Sequence, residues 1–201
     1  MKVAVGIDIG GTKVAVALIN ENGEIVSRSQ SPSQTASAES LYQGVVQLVD
    51  KVLNDNDLRI QDTYGIGVGL PGKVDVENGV AIFQNNIPWA NFPIVERLKE
   101  TYGDIPVKID NDVKVAAYAE YRMLNLKPTD MFGYVTVSTG IAATNIVNNT
   151  ILRGEGFSGE IGFVKVPYFE CLEALEVACS GVGIERTGRE IYEDETLTTK
   201  D

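Results

Sequence analysis

Along residues 3–19 the side chains alternate. Val3, Val5, Ile7 and Ile9 stand against Ala4, Gly6, Asp8 and Gly10, and Val14, Val16 and Leu18 then stand against Ala15, Ala17 and Ile19. This two-residue period predicts two strands joined by a tight turn at Gly10-Gly11. Glu21-Asn22-Gly23 reads as a second turn into a strand over 24–29, which makes a β-meander. The period then lengthens: Leu41, Val45, Leu48, Val49, Val52 and Leu53 fall at helical spacing over 37–54, with Ser37 as the cap and Glu39 in the first turn. An amphipathic helix covering the sheet is expected.

Downstream, 64–70 predicts a glycine-interrupted strand ending at Pro71-Gly72, and the stretch VDVENGVAIF a hairpin turning at Asn78-Gly79. Residues 91–102 read as a helix with Pro93 near its start, 105–109 as a strand, and 112–124 as a helix capped by Asn111 or Asp110. Two β-like runs, 134–138 and 142–147, flank Thr139-Gly140, and RGEGFSGEIG forms a glycine-rich loop. Helical spacing returns over 171–178, with Gly181 placed to end that helix. The order of elements predicts a mixed α/β chain divided near Lys108, into 1–108 and 109–201.

The 201 residues are 44% hydrophobic, ample for a buried core. A net charge of −11 with no basic run argues against a nucleic-acid partner. Met1 leads directly into strand-like sequence without a signal peptide, and no apolar run has the length of a membrane span, so no membrane partner and a cytoplasmic location are expected. Histidine is absent, which excludes Ser-His-Asp and Cys-His catalysis and leaves a carboxylate as the foremost general base. Cys171 and Cys179, read as lying on one helix and too far apart to bridge, are expected to be reduced, packed thiols.

The stretch GIDIGGTK carries the first candidate chemistry. It is not a Walker loop or a dinucleotide fingerprint, because the residues after Gly11 keep the period of a strand rather than opening a helix. Taken alone it is a good β-turn. Backbone N–H groups at such a turn can also approach phosphate oxygens, with Thr12 and Lys13 adding donors and Asp8 able to hold hydrated magnesium.

Seven stretches together change the picture: GIDIGGTK, GLPGKVD, NNIPWANFPI, IDNDVKVAAYAE, VSTGI, RGEGFSGEIG and ECLEAL. In order and spacing they resemble the motifs of the ROK family of sugar kinases and kinase-like repressors. The resemblance implies an α/β chain with the actin-like ATPase (ribonuclease H-like) fold, mixed sheets with flanking helices, and ATP-dependent phosphorylation of a hexose with ATP and Mg²⁺. Asp8, Gly10, Gly11, Thr12 and Lys13 match the family's first phosphate loop, and Ser138, Thr139 and Gly140 its second. Asp112 matches the carboxylate that takes the proton from the sugar hydroxyl, although Asn-Asp at a strand-to-helix junction is otherwise an ordinary cap. Gly72, Asn86, Asn111, Glu160 and Glu173 fall in segments that line the sugar pocket; the two glutamates also read as ordinary solvated acids.

The chain departs from the pattern at Phe163, where the family commonly has histidine, and at VPYFE, where it has a cysteine cluster. No structural zinc is expected. Ala142 and Thr144 stand where the second loop usually continues with glycines. The family pattern also runs about another hundred residues, a domain-scale length, so the resemblance implies truncation at the C-terminus and an incomplete second lobe. It is compatible with a homodimer. A non-catalytic sugar-binding or regulatory module is the alternative.

Overall fold

The computed structural model describes residues 2–84, 86–127, 129–154 and 158–200. They form two compact units, Met1–Val115 and Ala116–Asp201.

In the first unit, β1 (Val3–Ile9) pairs antiparallel with β2 (Lys13–Asn20), and β2 with β3 (Ile25–Pro32), as the alternation predicts. The helix α1 (Ala38–Asn54) starts where expected: Ser37 Oγ accepts from the Ser40 amide, and Ser40 Oγ accepts from the Ser37 amide. This reciprocal bonding satisfies two of the helix's otherwise orphan donors. Its apolar stripe of Leu41, Tyr42, Val45, Leu48, Val49, Val52 and Leu53 is buried. The strand β4 (Ile66–Leu70) runs parallel to β1.

The hairpin at Asn78-Gly79 forms as β5 (Lys73–Asp75) and β6 (Val80–Phe83). A third strand, β7 (Ala90–Phe92), joins it and takes the first residues of the expected helix, which begins only after Pro93 as α2 (Ile94–Tyr102). Proline disfavours helical geometry in the residue before it, so Phe92 stays extended. Trp89 is 1% exposed, stacks on Phe92 at 4.4 Å, and donates its indole N–H to the Ala38 carbonyl at 3.0 Å. That bond staples the small sheet to the start of α1.

The strand β8 (Val107–Asn111) completes the order β3-β2-β1-β4-β8 by pairing parallel to β4. The strand over 107–111 therefore lies wholly in the first unit, which runs to Val115. The helix α3 (Asp112–Met123) follows β8 at once.

In the second unit, β9 (Met131–Val137), β10 (Ile141–Val147) and β11 (Thr150–Ile151) form an antiparallel sheet in the order β11-β10-β9. The helix expected over 171–178 does not form. Its first half is β13 (Cys171–Ala174), paired antiparallel with β12 (Lys165–Tyr168), and only α4 (Leu175–Cys179) is helical. Strand pairing overrides a helical spacing that only Leu172, Leu175 and Ala178 supplied. Gly181 opens the helix α5 (Gly181–Tyr192) instead of ending one, with Ser180 as its cap. Both cysteines are exposed, not packed, and lie on different elements. Among the described residues, no helix is long and apolar enough to cross a membrane.

Candidate active site

Register in the first sheet sets the geometry. Asp8 on β1 pairs with Gly69 on β4, and Gly69 pairs with Asp110 on β8. Adjacent strands lie about 4.8 Å apart, so the carboxyl ends of three parallel strands bring Asp8, Gly69 and the Asn111–Asp112 junction into one neighbourhood. The carboxyl ends of parallel strands are where open α/β sheets bind ligands. A Cβ on Gly69 would lie 3.7 Å from the Asp112 Cα; glycine there leaves room for the start of α3.

Asn111 does the capping. Its Oδ1 accepts from the Lys114 amide at 3.3 Å, and its Nδ2 donates to the Gly72 carbonyl at 3.1 Å. The amide is thus engaged at both ends and ties the Pro71-Gly72 turn to the start of α3. Gly72 holds φ +72, and a Cβ there would lie 2.3 Å from the Phe83 carbonyl oxygen, so only glycine fits.

With Asn111 as the cap, Asp112 Oδ2 has no hydrogen bond to another residue among the described residues. Its Oδ1 accepts from the Val113 amide at 2.9 Å. Burial pushes the Asp112 carboxyl above the ordinary aspartate range, and the charge of Asp8 pushes it further; the Val113 amide and Lys114 oppose the rise. A half-buried acid held beside a second acid has the environment of a proton acceptor. Lys114 itself is 6% exposed.

The first turn is open toward solvent. The Gly10 amide donates to the Lys13 carbonyl, and the Gly10 carbonyl accepts from Ser33 Oγ at 2.6 Å. Among the described residues the amides of Gly11 and Thr12, the Thr12 hydroxyl and the Lys13 ammonium have no partner. The turn also abuts the segment of Asn86: a Cβ on Gly11 would lie 2.7 Å from the Asn86 carbonyl oxygen. One contact thereby joins the expected phosphate turn to an expected sugar residue. Asp8 is an exposed carboxylate with no hydrogen-bond partner among the described residues, which fits a role as a single acidic anchor for a hydrated Mg²⁺ shared with phosphates.

In the second unit, Ser138, Thr139 and Gly140 form the turn between β9 and β10. Ala142 and Thr144 lie inside β10, paired with Thr136 and Tyr134. They do not reach the turn tip, whose Thr139 and Gly140 amides have no partner among the described residues. Glu160 is exposed, preceding a single 3₁₀ turn over Ile161–Phe163. Of the glycine-rich loop, residues 155–157 lie outside the described residues. Glu173 accepts from the Ala174 amide and pairs with Lys165 at 3.5 Å; the amide first, then the lysine, holds its carboxyl below the usual range.

The acid that the fold brings to this turn is Glu176, which the sequence reading passed over. Its carboxylate accepts from the Ile141 amide at 2.8 Å, and a Cβ on Gly162 would lie 3.1 Å from its Cβ. The signal was present but ambiguous: a Leu-Glu pair occurs twice, at 172–173 and 175–176, three residues apart.

A family model described as ROK family matches residues 4–201. The glucokinase of Halalkalibacterium halodurans is 31% identical over 195 residues, spanning 92% of the chain and 59% of that protein. A xylose repressor of Bacillus subtilis is 29% identical over 166 residues, 82% of the chain and 43% of that protein. Among solved structures, a ROK family glucokinase of Streptomyces griseus in complex with glucose and AMPPNP aligns with TM-score 0.76 at 27% identity, covering 95% of the chain and 61% of that protein. The chain thus spans about two fifths to three fifths of the length of these relatives.

Proposed function

The chain belongs to the ROK family and has the actin-like ATPase fold of its kinases, and from that premise we propose that it serves the ATP-dependent phosphorylation of a hexose. The observation that carries this reading is Asp112: an acid raised by burial, relieved of capping duty by Asn111, and within the field of Asp8 beside a turn of unpartnered amides.

In the step itself the sugar hydroxyl oxygen bonds to the γ-phosphorus of ATP, the bond from that phosphorus to the β,γ-bridging oxygen breaks, and ADP leaves. The hydroxyl proton passes to the free oxygen of Asp112. Phosphoryl transfer requires mainly alignment and charge stabilisation, so one positioned carboxylate suffices as base. Gly11 and Thr12 amides, with the Thr12 hydroxyl and Lys13, receive phosphate oxygens, and Ser138, Thr139 and Gly140 form the second such turn. Bound near Asp8, Mg²⁺ would neutralise charge on the phosphates. Gly72, Asn86 and Asn111 are the proposed sugar contacts of the first unit, where the Gly11–Asn86 contact joins them to the first turn, and Glu160 and Glu173 are the proposed sugar contacts of the second. Support for both ligands comes from the Streptomyces griseus relative, whose structure holds glucose and AMPPNP.

The test is coupled ADP release over a panel of hexoses with Asp112→Asn. The substitution keeps shape but removes the proton acceptor, so turnover falls by roughly two to four orders of magnitude with little change in sugar affinity. Retained turnover would reduce Asp112 to part of the helix start. The match to a xylose repressor favours one other reading, a sugar-binding regulator; sugar binding without turnover in the unmodified protein would select it.

A further inference from the structure

Three segments of the second unit meet at one side chain. Glu176, on α4, accepts from the Ile141 amide through Oε2 at 2.8 Å. A Cβ on Gly140 would lie 2.4 Å from that same oxygen, and one on Gly162 would lie 3.2 Å from it. Both glycines clear space for this carboxylate. On the other side of the turn the Gly181 amide, at the start of α5, donates to the Ser138 carbonyl at 2.7 Å, and the Ser138 amide donates to the Gly140 carbonyl at 2.9 Å. The turn is therefore fastened at Ser138 and at Ile141. Between those points the Thr139 and Gly140 amides have no partner among the described residues.

We propose that Glu176 is a positioning residue for the second phosphate turn: by taking the Ile141 amide it fixes the C-terminal edge of the turn and leaves the Thr139 and Gly140 amides as the donors for a nucleotide phosphate. The proposal rests on the kinase reading of that turn. Its physical basis is the rigidity of the anchoring bond. A charge-assisted bond to a half-buried amide resists local opening, and an amide deprived of its acceptor exchanges with water as the turn relaxes. Glutamine at 176 keeps an oxygen acceptor in the same place; alanine removes it.

The experiment compares the unmodified protein with Glu176→Ala and Glu176→Gln, all confirmed folded by thermal melting. Two quantities are read: hydrogen exchange of the Ile141 amide by NMR, and affinity for ATP-Mg²⁺ by calorimetry. Glu176→Ala is expected to speed Ile141 exchange and to weaken ATP-Mg²⁺ binding, each by roughly tenfold to a hundredfold, the loss typical of a hydrogen bond to a charged group. Glu176→Gln, which keeps the acceptor but not its charge, is expected to lose clearly less than Glu176→Ala in both. Unchanged Ile141 exchange in Glu176→Ala overturns the proposal, as does faster exchange with unaltered nucleotide affinity. Equal losses in both variants would overturn it too, since the charge and not the bond would then matter. Failure of the kinase reading looks different: the unmodified protein itself would bind no ATP-Mg²⁺, while Ile141 exchange would still report whether Glu176 holds the turn.

Discussion

The two units hold their candidate phosphate turns by different means. In the first, the turn at Gly10–Lys13 grows from strands whose inner faces are sealed: Val3, Val5, Ile7, Ile9, Val14, Val16 and Leu18 are all at most 3% exposed, and α1 closes over them. In the second, the turn at Ser138–Gly140 grows from a sheet with few buried apolar residues, mainly Ile141 and Ile146. Met131, Val135 and Val137 on β9 and Ile184, Ile191 and Tyr192 on α5 are exposed. Polar fasteners, Glu176 to Ile141 and Gly181 to Ser138, stand where the first unit uses core. A backbone fixed by close packing is insensitive to any one hydrogen bond, whereas one fixed by two bonds is not.

The comparison breaks most sharply at Trp89. Removing the stacked, buried indole by Trp89→Ala leaves a cavity and removes its bond to the Ala38 carbonyl, so the first unit should lose about 3–5 kcal/mol of stability in denaturant titration. A loss under about 1 kcal/mol would mean that the small sheet is not part of that core.

A smaller effect tests the electrostatics of the first unit. Because burial and then Asp8 raise the Asp112 carboxyl, the base loses its ionised form at a higher pH than an ordinary aspartate would. As the pH falls, turnover should begin to drop while unperturbed aspartates are still ionised. The sign for stability is opposite. A carboxyl raised in the folded state contributes stability below its unfolded value and loses that contribution as the pH rises through the folded one. Asp112→Asn should therefore leave the protein at least as stable at neutral pH. A pH–rate profile and a melt of the variant check the two signs, and a variant clearly less stable at neutral pH would refute the burial argument.

The smallest effect belongs to the second unit. Val135 is 58% exposed, so Val135→Thr should change stability by no more than about 0.5 kcal/mol. A larger loss in a thermal or denaturant melt would show that β9 is covered in solution.

Local chemistry alone determined much of the first unit. The alternation at residues 3–19 fixed the hairpin, Ser37 fixed the start of α1, and Asn78-Gly79 fixed a hairpin turn, because each outcome depends on neighbours within a few residues. The seven motifs carried the family and the fold, since their residue types and order are themselves the signal. Tertiary structure decided the rest. Whether 171–174 is helix or strand depended on pairing with the strand at 165–168. Asn111 was one of two expected caps, and only the Gly72 carbonyl within its reach revealed that the same amide also ties down the Pro71-Gly72 turn. The two Leu-Glu pairs are equivalent as sequence; Glu173 meets Lys165 while Glu176 meets the Ile141 amide because the chain turns from strand to helix between them. A contact such as Glu176 with the Ile141 amide, 35 residues apart, leaves no mark on the spacing of either segment, so it can be read only after the chain has folded.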